Sequence, residues 1–167
     1  MQIRTERLEL KPIRNVDVEA LTDLLTDDVV KTTYMVPDFP DREGARNMAQ
    51  RIKTLSEDPS RNVAGIFLDD QLIGLLNQTE VCGERIEVGY ALLPRFHGRG
   101  YATEALRGAI EYFFRQGFRE VIAGAFEENA ASIRVMVKSG MTKMEETDEV
   151  TYRGKTHRCV YYQAKRA

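Results

Sequence analysis

Tryptophan is absent from this chain of 167 residues, and cysteine, histidine and proline number only two, two and five. Cys82 and Cys159 are too few for a disulfide framework of the secreted type, although a single bridge between them stays open. Neither they nor His97 and His157 show metal-ligand spacing, so no metal is expected. An excess of one charge is also missing. Lys and Arg total 24 against 26 for Asp and Glu, a net charge of −2. No global field draws such a chain to nucleic acid or to a membrane surface, though a local basic patch would suffice for an anionic ligand. No apolar run approaches the roughly 20 residues of a membrane span. The N-terminus, MQIRTERLEL, is too densely charged for a signal peptide. Repeats, low-complexity segments and linkers are lacking too. These absences leave a soluble, reduced, cytoplasmic protein, expected to form one domain over residues 1–167.

What is present is ordinary in amount, 43% apolar and 30% charged, and informative in order. Residues 2–14 read as a first strand marked by Ile3, Leu8, Leu10 and Ile13. Asn15 offers a cap to a helix carrying Val18, Leu21, Leu24 and Leu25. Pro37 and Pro40 break the chain into a loop, and Asp41 can cap a second helix reaching about Glu57. Three strands follow, VAGIFL, QLIGLLNQTEV and RIEVGYALL, with turns at Asp69–Gln71 and Cys82–Glu84. After a glycine-bearing loop come a long helix, the apolar strand EVIAGAF, a helix from Asn129 to the stop at Gly140, and two strands around Arg153 and Gly154. The class is mixed α/β (α+β) with a largely antiparallel sheet.

The loop and its helix, LLPRFHGRGYATEALRGAIEYFF at 92–114, carry the functional signal. Ala102, Ala105, Leu106, Ala109, Ile110, Phe113 and Phe114 recur at helical spacing, so the helix packs on the sheet and begins near Gly98–Ala102. The first amides of a helix lack internal partners and attract anions. Gly98 and Gly100 let a ligand approach them, and Arg95 and Arg99 add charge. A plain strand-to-helix connection open to water explains the same letters, since short glycine patterns recur by chance. The dinucleotide fingerprint lacks its third glycine, and no Gly-Lys-Ser/Thr marks a P-loop.

The run Arg-x-x-Gly-x-Gly, here RFHGRG, resembles the acetyl-CoA pyrophosphate loop of the GNAT superfamily of N-acetyltransferases. EVGYALLPRFHGRGYATEAL together with NAASIRVMVKSGM is similar to the Rim-type branch, named for bacterial enzymes that acetylate N-termini of ribosomal proteins. The resemblance is specific over residues 86–141 and generic over 1–80. It implies a GNAT-like fold, a twisted central sheet of about seven mostly antiparallel strands flanked by about four helices, with splayed central strands. It implies acetyl-CoA as cofactor. The pantetheine arm would pair with Ala91, Leu92 and Leu93, and the pyrophosphate would sit on amides from His97 through Gly98, Arg99, Gly100 and Tyr101 to Ala102. Asn129 would hydrogen-bond the pantetheine, or simply cap its helix. Ser132 would lie near the thiol, where a hydroxyl is a modest proton donor. Arg134 and Lys138 are candidates for the adenosine 3′-phosphate, with a solvated helix face as the plainer reading.

By the same resemblance the reaction is acetyl transfer to a primary amine, on a protein N-terminus or a small molecule, by direct attack in a ternary complex. Glu87 is the candidate base and the Leu92 N–H the candidate oxyanion donor, with a structural glutamate as the alternative for Glu87. Tyr34, Met35, Phe39 and Tyr152 would shape an acceptor pocket, and Asp38, Asp41, Glu145, Glu146 and Glu149 could draw a cation to it. Met136 stands where many members carry a tyrosine acid, which keeps a non-catalytic acyl-CoA sensor as an alternative. Cys82 needs no nucleophilic role. A homodimer through the C-terminal strand is a reasonable assembly.

Overall fold

The computed structural model describes residues 1–167. The expected first strand is two short ones, β1 (Ile3–Arg4) and β2 (Leu8–Lys11). Thr5 splits them: its N–H donates to Leu8 O at 2.9 Å, and its Oγ1 accepts from Leu8 N at 3.1 Å. Asn15 does not cap a helix. Residues Asn15–Asp17 form a 3-10 turn in which the Asp17 carboxylate accepts from the Arg14 N–H at 2.9 Å, and α1 (Val18–Thr26) starts beyond it. A one-turn helix, α2 (Asp28–Lys31), follows under an Asp27 cap. It is too short to leave a periodic signal. Asp41 does cap α3 (Arg42–Glu57), accepting from Gly44 N at 2.8 Å.

The remaining elements are β3 (Val63–Leu68), β4 (Gln71–Cys82), β5 (Arg85–Leu92), α4 (Tyr101–Arg115), β6 (Glu120–Phe126), α5 (Ala130–Lys138), β7 (Thr142–Tyr152) and β8 (Lys155–Lys165). Asp69 and Asp70 both take positive φ in the β3–β4 turn, the twist a two-residue hairpin requires. All eight strands join one sheet in the order β1-β2-β3-β4-β5-β6-β8-β7. Every pair is antiparallel except β5 with β6. Helices α1 and α3 pack over β4 and β3, while α4 and α5 pack together over β5 and β6. Burial of Val63 through Phe67 without alternation shows that both faces of the centre are covered. Ala105, Leu106, Ala109, Ile110 and Phe113 are buried as their spacing requires, each large one contributing about 2 kcal/mol.

The feature that positions the site is a short ladder. β5 and β6 pair only from Arg85 to Glu87, opposite Glu120 to Ile122, and then separate. A bulge marks the place, but on the neighbouring strand: Gln78 faces Val88 and Glu80 faces Glu87, leaving Thr79 as the extra residue in β4. An added residue bends its strand and sharpens local twist, and the β5–β6 ladder ends opposite it.

Candidate active site

A cleft of about 360 Å³ opens where β5 and β6 part. Its floor is β5. Leu93 N–H donates to Ile73 O of β4 at 2.8 Å, so by strand alternation the N–H and C=O of Leu92 turn to the edge β6 has left. Of the expected run Ala91 to Leu93, Leu92 thus presents its backbone to the cleft. Ala91 lines the wall, and Leu93 is buried outside it. His97 reaches back to donate from Nε2 to Leu92 O at 2.8 Å.

One end of the cleft is the start of α4. Gly98 and Gly100 hold φ of 71° and 80°, which only glycine adopts without strain. The N–H groups from Gly98 to Thr103 meet no acceptor within the protein, and no side chain caps the helix. The next amide, Glu104 N, already bonds Gly100 O at 3.0 Å. His97 differs from expectation, because its amide donates to Pro94 O at 3.0 Å and is not free. The Arg99 side chain is solvent-exposed outside the cleft wall.

At the other end stands α5. Asn129 caps it, accepting from Ser132 N at 3.1 Å, and both residues line the cleft with Arg134 and Lys138. Tyr90 crosses from β5, its hydroxyl 2.9 Å from Ser132 Oγ and 3.3 Å from Ser132 O. Burial pushes the Tyr90 phenol up to about 12, against the opposing hydrogen bond from Ser132. Met136 is fully buried in the core, away from the cleft. A hydroxyl pair from two elements, Tyr90 and Ser132, instead lines the cleft.

Glu87 does not line this cleft. It lies two residues before Gly89 on the same face of β5, about 7 Å along the strand. A second pocket of about 210 Å³ surrounds it with Glu80, Asp148, Glu146, Tyr161 and Cys82. Burial raises the Glu87 carboxyl; a hydrogen bond from Thr79 opposes this, and repulsion from Glu80 and Asp148 adds to it. Tyr161 donates to Asp148 Oδ2 at 3.0 Å, and its ring fills the space above Gly124 of β6. Gly89 and Gly124, one on each side of the splay, both reach the main cleft.

Tyr34 closes the splay beside Gly89. Its buried hydroxyl donates to Asn77 Oδ1 of β4, and burial raises its pKa far above the ordinary phenol value. Tyr152 latches the same loop, accepting from Val36 N at 3.2 Å and donating to Val36 O at 2.9 Å. Met35 is exposed and Phe39 packs against the core, so neither shapes the pocket as expected. Two of the expected acids are engaged elsewhere. Asp38 bridges Lys31 and Arg153 at 3.0 and 3.3 Å, and Asp41 is a helix cap.

A profile of the acetyltransferase (GNAT) domain matches residues 7–142. The chain belongs to the GNAT acetyltransferase family. It is 31% identical to the uncharacterized N-acetyltransferase p20 of Bacillus licheniformis over 137 residues, 79% of this chain and 77% of that one. A GNAT-family acetyltransferase from Bacillus anthracis superposes with a TM-score of 0.84 at 25% identity, covering 99% of this chain and 98% of the other. Rim-type enzymes are among the structural neighbours. The Salmonella typhimurium acetyl transferase that modifies the N-terminal serine of ribosomal protein L7/L12 has a TM-score of 0.83 over the whole of both chains, a likeness of fold at 20% identity.

GNAT enzymes use acetyl-CoA, and this chain is an acyltransferase of that kind. The donor set fits such a cofactor. Six successive unpaired N–H groups at a helix start suit a diphosphate, and the cleft-facing Leu92 edge suits an extended amide chain. Sequence reasoning missed Tyr90, Tyr161 and Asn77. Tyr90 carried a signal, a hydroxyl within the apolar strand of the motif. The other two become neighbours of the site only through strand pairing and loop closure.

Proposed function

We propose that this GNAT enzyme acetylates a primary amine, on a protein N-terminus or a small molecule, by direct attack across the β5–β6 splay. One observation carries the reading: six unpaired helix-start amides and the backbone edge of Leu92 line one cleft, while half-buried Glu87 sits at the last β5–β6 pair, just before the strands part. Bound acetyl-CoA supplies a thioester carbonyl for the amine to attack. The Gly98–Thr103 amides would hold its diphosphate, and Leu92 C=O, which accepts from His97 with one lone pair, would accept from its arm with the other. Arg134 and Lys138 face the adenosine end.

The amine arrives as an ammonium, with a pKa of about 8 for an α-amine or about 10 for an alkyl amine. Glu80, Glu146 and Asp148 favour a cation in the second pocket. Glu87, directly or through one water, takes the proton as the C–N bond forms. Leu92 N–H meets the oxygen where negative charge develops, and preorganisation of that donor lowers the barrier. As the C–S bond breaks, Ser132 Oγ–H, oriented by Tyr90, gives hydrogen-bonding support to the departing sulfur.

A thiol-release screen over amino acids, polyamines, aminoglycosides and N-terminal peptides tests this. One amine class should release free CoA in proportion to product. Tight CoA binding with no thiol released by any amine would overturn it.

A further inference from the structure

An acid occupies the first turn of the very helix whose start must hold an anion. Glu104 lies one turn into α4, and its carboxylate would repel a diphosphate on the Gly98–Thr103 amides. The Thr5–Arg7 turn between β1 and β2 meets it. Thr5 Oγ1 donates to Glu104 Oε1 at 2.6 Å, Arg7 N donates to the same oxygen at 2.7 Å, and Arg7 Nε donates to Glu104 Oε2 at 2.7 Å. Arg7 also donates from Nη1 to Arg99 O at 3.1 Å, and its guanidinium lies 4.6 Å from the Tyr101 ring centroid.

The contact with Arg99 O has a geometric effect. In a planar trans peptide the carbonyl of Arg99 and the N–H of Gly100 point in opposite directions. Holding the carbonyl on Arg7 therefore fixes the Gly100 amide away from Arg7, with the other unpaired amides. Burial of Glu104 would raise its pKa, but the bonds from Thr5 and Arg7 outweigh that and keep the carboxyl below its usual range. It stays an anion at neutral pH, and Arg7 is the cation that answers it.

Resting on the diphosphate reading above, we propose that Arg7 is a positioning residue for the cofactor loop. It fixes the Arg99–Gly100 peptide and cancels the charge of Glu104, so that the helix start presents net positive potential to a diphosphate. Arg7 itself touches no reacting atom.

The test compares CoA with pantetheine, which lacks the diphosphate, by titration calorimetry on the whole chain. Arg7→Ala should weaken CoA about ten- to hundredfold while shrinking the CoA-over-pantetheine preference by the same factor. Arg7→Lys, which keeps the charge but not the fork, should fall between. Adding Glu104→Gln to Arg7→Ala should restore part of the loss, since the uncancelled charge is gone. If Arg7→Ala does not fold, Arg7→Lys and Glu104→Gln carry the same comparison. An equal loss for both ligands, or no recovery with Glu104→Gln, would reduce Arg7 to a structural residue and overturn the proposal. A wild-type chain with no preference for CoA over pantetheine would instead sink the diphosphate reading itself.

Discussion

Glu87 and Ser132 make separable contributions at the level of single residues. Glu87→Gln should lower kcat/KM about 10²- to 10⁴-fold if the carboxylate is the base. The pH dependence has a definite sign. The carboxyl of Glu87 is raised by burial, so activity should fall as pH drops through a point above the ordinary value of about 4.3, and Glu87→Gln should lack that limb. Stability runs the other way. A raised folded pKa means the fold binds the proton more tightly, so Glu87 costs stability as pH rises from its unfolded pKa through its folded one. Glu87→Gln should therefore melt higher than wild type at neutral pH, while an unchanged melt and pH profile would remove Glu87 from the mechanism. Ser132→Ala should depress kcat more than KM, measured at saturating acetyl-CoA. Both residues were singled out from the sequence, because each sits at a fixed offset within a recognisable motif. Tyr161 and Asp148 were not, because β8 and β7 reach Glu87 only through pairing far along the chain.

Elements show where pattern reading works and where it stops. The loop before α4, the stripe of α4 and the cap of α5 are all local, and all stand where their residues direct. The division of β1 from β2 rests on hydrogen bonds of Thr5, which alternation does not reveal. The splay was expected from the family resemblance, but the bulge at Thr79 in β4 was not legible, since an extra residue in one strand is visible only against its partner. Two glycines separate strain from crowding. Gly98 has open space around it, so Gly98→Ala should cost only the left-handed backbone penalty of about 1 kcal/mol. Gly74 faces Leu92, and a Cβ there would stand 2.3 Å from Ala91 O and 2.5 Å from Leu92 Cδ2. Gly74→Ala should thus cost about 1–3 kcal/mol or more and disturb the Leu92 edge. Denaturant unfolding of both variants, with CoA affinity alongside, checks the contrast: Gly74→Ala should weaken CoA as well as stability.

For the whole molecule, the sheet has one long open edge at β7, with Glu145, Glu146, Asp148 and Glu149 exposed along it. Antiparallel pairing of two such edges would set acid against acid, a device that discourages edge association. The C-terminal strand β8, through which a homodimer was expected, is paired on both sides, so edge association falls to β7 and should be absent at low ionic strength; sedimentation velocity across a salt series would show any such association rising with salt. No helix is long and apolar enough to cross a membrane. Selective binding to the folded state should also raise the melting temperature with acetyl-CoA but not with ATP or NAD, by a stability gain of about 2.7 kcal/mol at 100-fold excess over Kd. The most direct test of the central claim is amide hydrogen exchange at residues 98–103 with and without CoA. Slowed exchange there with CoA, and not with pantetheine, is the expected result. Unaltered exchange at those amides, with protection elsewhere, would contradict it.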